Sequence, residues 1–325
     1  MMMFDDVGSF PFSQGDYLKV VEDVMRMKLM CGLDVPAYPQ LRDMNTMFSE
    51  ILEDEKNCEQ PFLVRREKAE IVEMKAVEKV AREWKKETGE VMKIKVCVTG
   101  PVELYLHLFG TSNYPDILVN IARSVRRFFL SSLSPSYRVQ VVSIDEPSLG
   151  LNPAIMFSEE DILEALDIAS AHRIETQIHL HSALYSEVVC NSNVDIIGVE
   201  CASEPSNLEL IDRRLLEDTD TFLRVGIART DIHAMVSELN ERYSTNVWRD
   251  ESLMRKVVEE METPNTIASR LRRAWEMFGD RIRYVGPDCG LGSWPSQELA
   301  CELLRNTKQG INAFCETRDS ESALK

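Results

Sequence analysis

The chain has 325 residues, 44% apolar and 28% charged, with 37 basic against 54 acidic side chains and a formal charge of −17. So acidic a balance argues against a nucleic-acid partner, because displacing counterions from a polyanion needs a concentrated basic face. No run approaches the roughly 20 apolar residues that span a bilayer, and the start, Met1-Met2-Met3-Phe4-Asp5-Asp6, lacks the basic region of a signal peptide, so a cytoplasmic protein without a membrane partner is expected.

Short β-rich runs alternate with longer runs of helical spacing. In chain order the strands read Phe4 to Phe10, Leu33 to Gln40, Ile94 to Thr99, Val139 to Asp145, Glu175 to His181, Val194 to Glu200, Phe222 to Ile227 and Ile282 to Pro287. Several are nearly continuous apolar runs, as parallel strands covered on both faces require. Between them, helical spacing covers Tyr17 to Met30, Arg66 to Glu87, Pro115 to Leu133, Glu159 to Ala171, Leu253 to Phe278 and Gln297 to Phe314. Ser158 before three acidic residues is a helix start, and the Pro-Ser pairs at Pro205 and Pro295 are similar entries. Eight strand-helix units predict an α/β fold, a single (β/α)8 TIM barrel spanning residues 1–325 with helical insertions. The insertions fall at about 50–92, where Arg66 to Glu87 reads as a solvated helix, and at about 243–262; Arg318 to Lys325 reads as a frayed end. Eight cysteines spread over so long a chain argue against a disulfide scaffold.

Barrel chemistry sits at the C-terminal strand ends, and these are conspicuously polar: Gly8-Ser9, Gln40 to Asp43, Thr99-Gly100, Asp145-Glu146, His179-Leu180-His181, Glu200-Cys201, Asp231-Ile232-His233 and Asp288-Cys289-Gly290. Imidazole, carboxylate and thiolate are ordinary zinc ligands, so His181, Glu200 and Cys289 form a candidate set, with His179 in a supporting role. Taken singly, each has a plainer reading: a hydrogen-bonded His, a salt-bridged Glu, an apolar Cys. His107 and His172 lie on helix-like segments and read as surface or packing residues, and Cys201 as a packing residue. A carboxylate ending so apolar a strand needs a cation or donor, so Asp145 is a candidate for a substrate ammonium, while Glu146 divides between that role and a link to Arg42 or Arg229. Gly8 and Ser9 offer backbone N–H groups to a ligand, or form a tight turn without one. No phosphate loop is present, and Gly290-Leu291-Gly292 lacks the third glycine of a dinucleotide fingerprint.

Val7-Gly8-Ser9-Phe10-Pro11, Thr99-Gly100-Pro101-Val102, Ile144 to Pro147, Gln177 to His181 with Tyr185-Ser186-Glu187, Asp231-Ile232-His233 and Pro287 to Leu291 with Trp294-Pro295 together resemble the C-terminal catalytic barrel of cobalamin-independent methionine synthase and its shorter single-barrel relatives. The resemblance implies zinc-dependent methyl transfer to a thiol acceptor, homocysteine first, with His181, Glu200 and Cys289 matching three of four zinc ligands. It places Asp145 and Ser9 on the acceptor's polar end and gives His233 a proton-moving role on the donor side. The fourth ligand, a Cys, is replaced by Ala183: three ligands suffice, Cys190 compensates, or the site is weakened. Thr46 stands in the substrate-binding position of an acidic residue, which makes a thiol without an ammonium, such as a mercaptoalkanesulfonate, a competitor. The missing second barrel of folate-using relatives favours a methylcorrinoid (methylcobalamin) on a separate corrinoid protein over methyl-tetrahydrofolate as donor. A metal-free uroporphyrinogen-decarboxylase-like enzyme and a non-catalytic binding barrel are the competing readings.

Overall fold

The computed structural model describes residues 2–171 and 173–323. His172, expected on a helix-like segment, and the last two residues of the expected frayed end lie outside the described residues. Among the described residues nine strands form: β1 (Met3–Phe4), β2 (Cys58–Gln60), β3 (Leu63–Val64), β4 (Lys93–Thr99), β5 (Arg138–Asp145), β6 (Glu175–Leu180), β7 (Ile196–Val199), β8 (Phe222–Ala228) and β9 (Ile282–Pro287). Seven make one parallel sheet in the order β1-β9-β8-β7-β6-β5-β4, while β2 and β3 form a small antiparallel pair.

The sheet's two edges meet through the expected second strand. Val35 bridges to Asp5 and Gln40 to Ser9 on one side, and Ala37 bridges to Lys95 on the other. That segment fills the eighth position and closes a (β/α)8 TIM barrel. It is a row of isolated bridges instead of a continuous ladder because Pro36 and Pro39 have no N–H to contribute. The first strand is likewise shorter than the expected Phe4 to Phe10. Gly8 turns the chain at φ +105°, and an added Cβ there would meet the Gln40 side chain at 2.9 Å.

Inside the cylinder lies a fully buried ionic layer. Asp5 bonds Lys95 at 2.8 Å and Arg224 at 2.9 Å, and between the barrel wall and the helix Tyr17–Met30 a second buried pair forms, Lys28 with Asp6 at 2.6 Å. Around the strands, apolar helix faces close the outer core. The helix expected over Arg66 to Glu87 begins only at Met74, runs to Thr88, and buries Met74, Ala76, Val77, Val80 and Ala81 against the barrel instead of standing solvated. The single helix expected over Leu253 to Phe278 is broken: a short turn Glu251–Met254, a π-helical turn Val257–Met261, then a helix Pro264–Phe278 capped by Thr263. Pro264 lacks the N–H needed to continue a helix and is at home in a first turn. The last helix runs Gln297–Ala323, past the expected Phe314. Among the described residues no helix is long and apolar enough to cross a membrane.

Candidate functional site

The strand ends bring three distant side chains together at the C-terminal mouth. His181 follows β6, Glu200 follows β7 and Cys289 lies two residues past β9. His181 Nε2 stands 3.2 Å from Glu200 Oε1 and 3.4 Å from Cys289 Sγ. A tetrahedral zinc with ordinary bond lengths would set its N and O ligands about 3.3 Å apart and its N and S ligands about 3.6 Å apart. The donor set and its spacing therefore fit a zinc-like ion. A ring nitrogen of His179 joins the group, with one ligand atom of each of the four residues within 4.8 Å of the others.

Two side chains lock these strand ends. Asn207, buried on the short helix Asn207–Leu210, donates from Nδ2 to the carbonyls of His181 (2.9 Å) and Glu200 (2.7 Å), while its Oδ1 accepts the N–H of Ala183 at 2.9 Å. Asp288, next to Cys289, accepts the N–H groups of Cys201, Ala202 and Ser203 and the Ser203 hydroxyl, tying the loop after Glu200 to the end of β9. Thr230 Oγ1 accepts the Cys289 N–H, and Trp294 Nε1 donates to the Thr230 carbonyl. The amide of Asn207 and the carboxylate of Asp288 were not foreseen from sequence. Asp288 carries one signal, its adjacency to Cys289; Asn207 carries none, because its partners are backbone groups of distant segments.

A cavity of about 290 Å³ opens beside the cluster, its lining including Ser9, Arg42, Asp145, His179, His181 and Cys289. Asp145 ends β5 beside His179 of β6 in register, and the Ser143 hydroxyl donates to it at 2.7 Å. Burial pushes its carboxyl to about 7 against that hydrogen bond. Burial also lifts Glu200 to about 7, helped by the nearby Asp288, raises the Cys289 thiol further with the help of Glu200, and lowers His181. Without a cation the cluster is thus driven towards its neutral forms, and a bound divalent ion reverses that preference.

Other residues singled out from sequence stand elsewhere or do other work. The Gly8 N–H is taken by Asp6 at 3.2 Å and is not offered to a ligand, whereas Ser9 does line the cavity and its carbonyl accepts the Leu291 N–H. Thr46 is held in the first turn of the helix Met44–Glu53, where both its N–H and its hydroxyl bond Asp43, and it is not among the lining residues. His233 is exposed on the helix Ile232–Tyr243 with its ring 5.2 Å from Trp248, outside the cavity lining. Cys190 is buried beside Thr219 and Thr221, near the start of β8, and supplies no ligand to the cluster. Glu146 links to neither arginine. It accepts the N–H groups of Val102 and Glu103, capping the helix Pro101–Phe109, while Arg42 pairs with Glu73 and Arg229 with Asp231 and Glu238. His107 is exposed on that helix, and Cys201 is buried in the core.

No family model matches the chain. Solved structures match it over nearly their whole length. A B12-independent methionine synthase from a Shewanella species, in complex with selenomethionine, superposes with a TM-score of 0.67 at 14% identity, covering 98% of this chain and 99% of that one. A putative vitamin-B12-independent methionine synthase from Listeria monocytogenes gives a TM-score of 0.56 at 14% identity, with 96% and 98% covered. A methyltransferase from Methanosarcina mazei gives 0.54 at 11%, with 96% and 94% covered. The chain has their fold.

Proposed function

We propose that the protein is a zinc-dependent methyltransferase of the methionine-synthase type that methylates a thiol, homocysteine being the first candidate. The observation that carries this reading is the His181, Glu200 and Cys289 triangle at the mouth of a barrel, beside a cavity sized for a small amino acid. Its support from outside the chain is the likeness in fold to proteins described as methionine synthases.

Zinc bound there would supply Lewis acidity enough to hold a substrate thiol as thiolate near neutral pH. The chain's own residues then position the acceptor. Asp145, whose carboxylate lines the cavity, takes the ammonium group; this contact also relieves the cost of burying the charge. Arg42, held by Glu73 and by the Tyr17 hydroxyl, also lines the cavity, and a guanidinium there suits a substrate carboxylate. Ser9, with its carbonyl bonded to the Leu291 N–H, forms part of the cavity wall. We assign no step to His233 or Thr46. The corrinoid donor and corrinoid partner expected above gain no support from neighbours described as B12-independent.

The test is direct. Zinc-loaded protein is incubated with methyl-tetrahydrofolate or methylcobalamin, each against homocysteine and a mercaptoalkanesulfonate, and methylated thiol is quantified by mass spectrometry. Methionine formed from one donor, dependent on zinc, is the expected result and identifies that donor. Absence of any methylated thiol from either donor with stoichiometric zinc in place overturns the reading.

A further inference from the structure

We infer that His179 is a fourth ligand of the metal centre, so that the ion is held by two imidazoles, a carboxylate and a thiolate. The inference rests on the metal-dependent reading above and goes beyond it.

His179 lies on β6 two residues before His181, and residues two apart on a strand face the same side. It is only 2% exposed and lines the cavity. Among the described residues neither ring nitrogen has a hydrogen-bond partner, although buried polar groups are almost always bonded. An imidazole supporting a ligand would donate to a carboxylate or carbonyl. His179 makes no such bond to His181, Glu200 or Cys289, and the neighbouring Asp145 takes its hydrogen bond from Ser143. What His179 does have is a ring nitrogen within 4.8 Å of a ligand atom of each of the other three. The two imidazoles stand edge to face, their centroids 5.4 Å apart at 73°, so neither ring covers the other.

The loop after His181 offers no rival donor. Ala183 has none, its N–H is held by Asn207, and the Ser182 hydroxyl accepts the Leu184 N–H. Charge favours the same set: one carboxylate and one thiolate balance a divalent cation, and two neutral imidazoles complete four ligands without making the site anionic. An arriving thiolate then meets a neutral centre and not an anionic one.

The experiment uses metal alone as the probe, on the full chain. Affinity for zinc is measured by competition with a chromogenic chelator, and the ligand field by the visible spectrum of the cobalt(II) form, for wild type, His179→Gln, His179→Ala and His179→Cys, with circular dichroism to verify folding. Losing a group that only hydrogen-bonds a ligand costs about 10–100-fold in metal affinity, so loss of a ligand itself is expected to exceed about 100-fold in both the Gln and Ala variants, with an altered cobalt spectrum and recovery of affinity in the Cys variant. A folded Gln variant that keeps the wild-type cobalt spectrum overturns the inference, whether its affinity is unchanged or reduced up to about 100-fold. A wild-type chain that binds no zinc removes the metal-dependent reading itself, a result distinct from either.

Discussion

Asp145 combines deep burial with a place on the cavity wall. It ends an apolar strand with a single hydroxyl donor, and burial holds its carboxyl near 7, yet one side of it lines the cavity. In the function proposed above, a substrate ammonium provides the missing charge. Asp145→Asn is therefore expected to raise KM for homocysteine by about 10- to 100-fold, as the loss of a charge-assisted bond of about 1.5–3 kcal/mol implies, while leaving KM for an ammonium-free thiol nearly unchanged. Equal effects on both thiols would take the ammonium contact away from Asp145. At this scale the sequence was readable where chemistry stands out against apolar surroundings. His181, Glu200 and Cys289 end apolar runs, so their polarity marked them. The places of Thr46 and His233 depend on local structure that apolar patterning does not show: Asp43 draws Thr46 into a helix cap, and His233 stands exposed beside Trp248.

Elements meet at the site through side chains that bond backbone, and these junctions set its precision. Asn207 ties together the residues that follow β6 and β7, beyond the last pair of their ladder. Asn207→Ala would leave two carbonyls and one N–H buried without partners, an expected loss of about 3 kcal/mol in unfolding free energy together with a zinc affinity lower by about 10–100-fold. Denaturant midpoints and chelator competition check both; a stable variant with wild-type affinity would show that Asn207 does not position the ligands. Glu146 joins β5 to the helix Pro101–Phe109, and Gly100 leaves it room: an added Cβ there would fall 2.2 Å from Glu146 Oε1. Burial raises the Glu146 carboxyl to about 8, against an unfolded value of about 4.3. Between these values the folded chain binds the extra proton, so this group's contribution to stability falls as pH rises through that window. Glu146→Gln is expected to flatten the fall in urea midpoint between about pH 5 and pH 8, and an unchanged slope would contradict the assignment. Periodicity located these elements well but not their ends. Pro36 and Pro39 interrupt the second strand, and Pro264 restarts a helix that apolar spacing alone had made continuous.

Across the whole molecule, the alternation of strand and helix predicted a closed barrel, and the bridges at Val35, Ala37 and Gln40 complete it. The ionic layer inside, where Asp5 meets both Lys95 and Arg224, was hidden from sequence because each partner comes from a different strand and only closure brings them together. The candidate metal site depends on the curvature of the same wall: β6, β7 and β9 each carry one candidate ligand at or just past their C-terminal ends, and the three side chains converge at one place. The most direct test of that convergence is anomalous diffraction at the zinc edge from crystals of the zinc-loaded protein. One full-occupancy peak within bonding distance of His181 Nε2, Glu200 Oε1 and Cys289 Sγ is the predicted result. A protein that carries zinc at another position, or whose three side chains surround no anomalous density, would contradict the account.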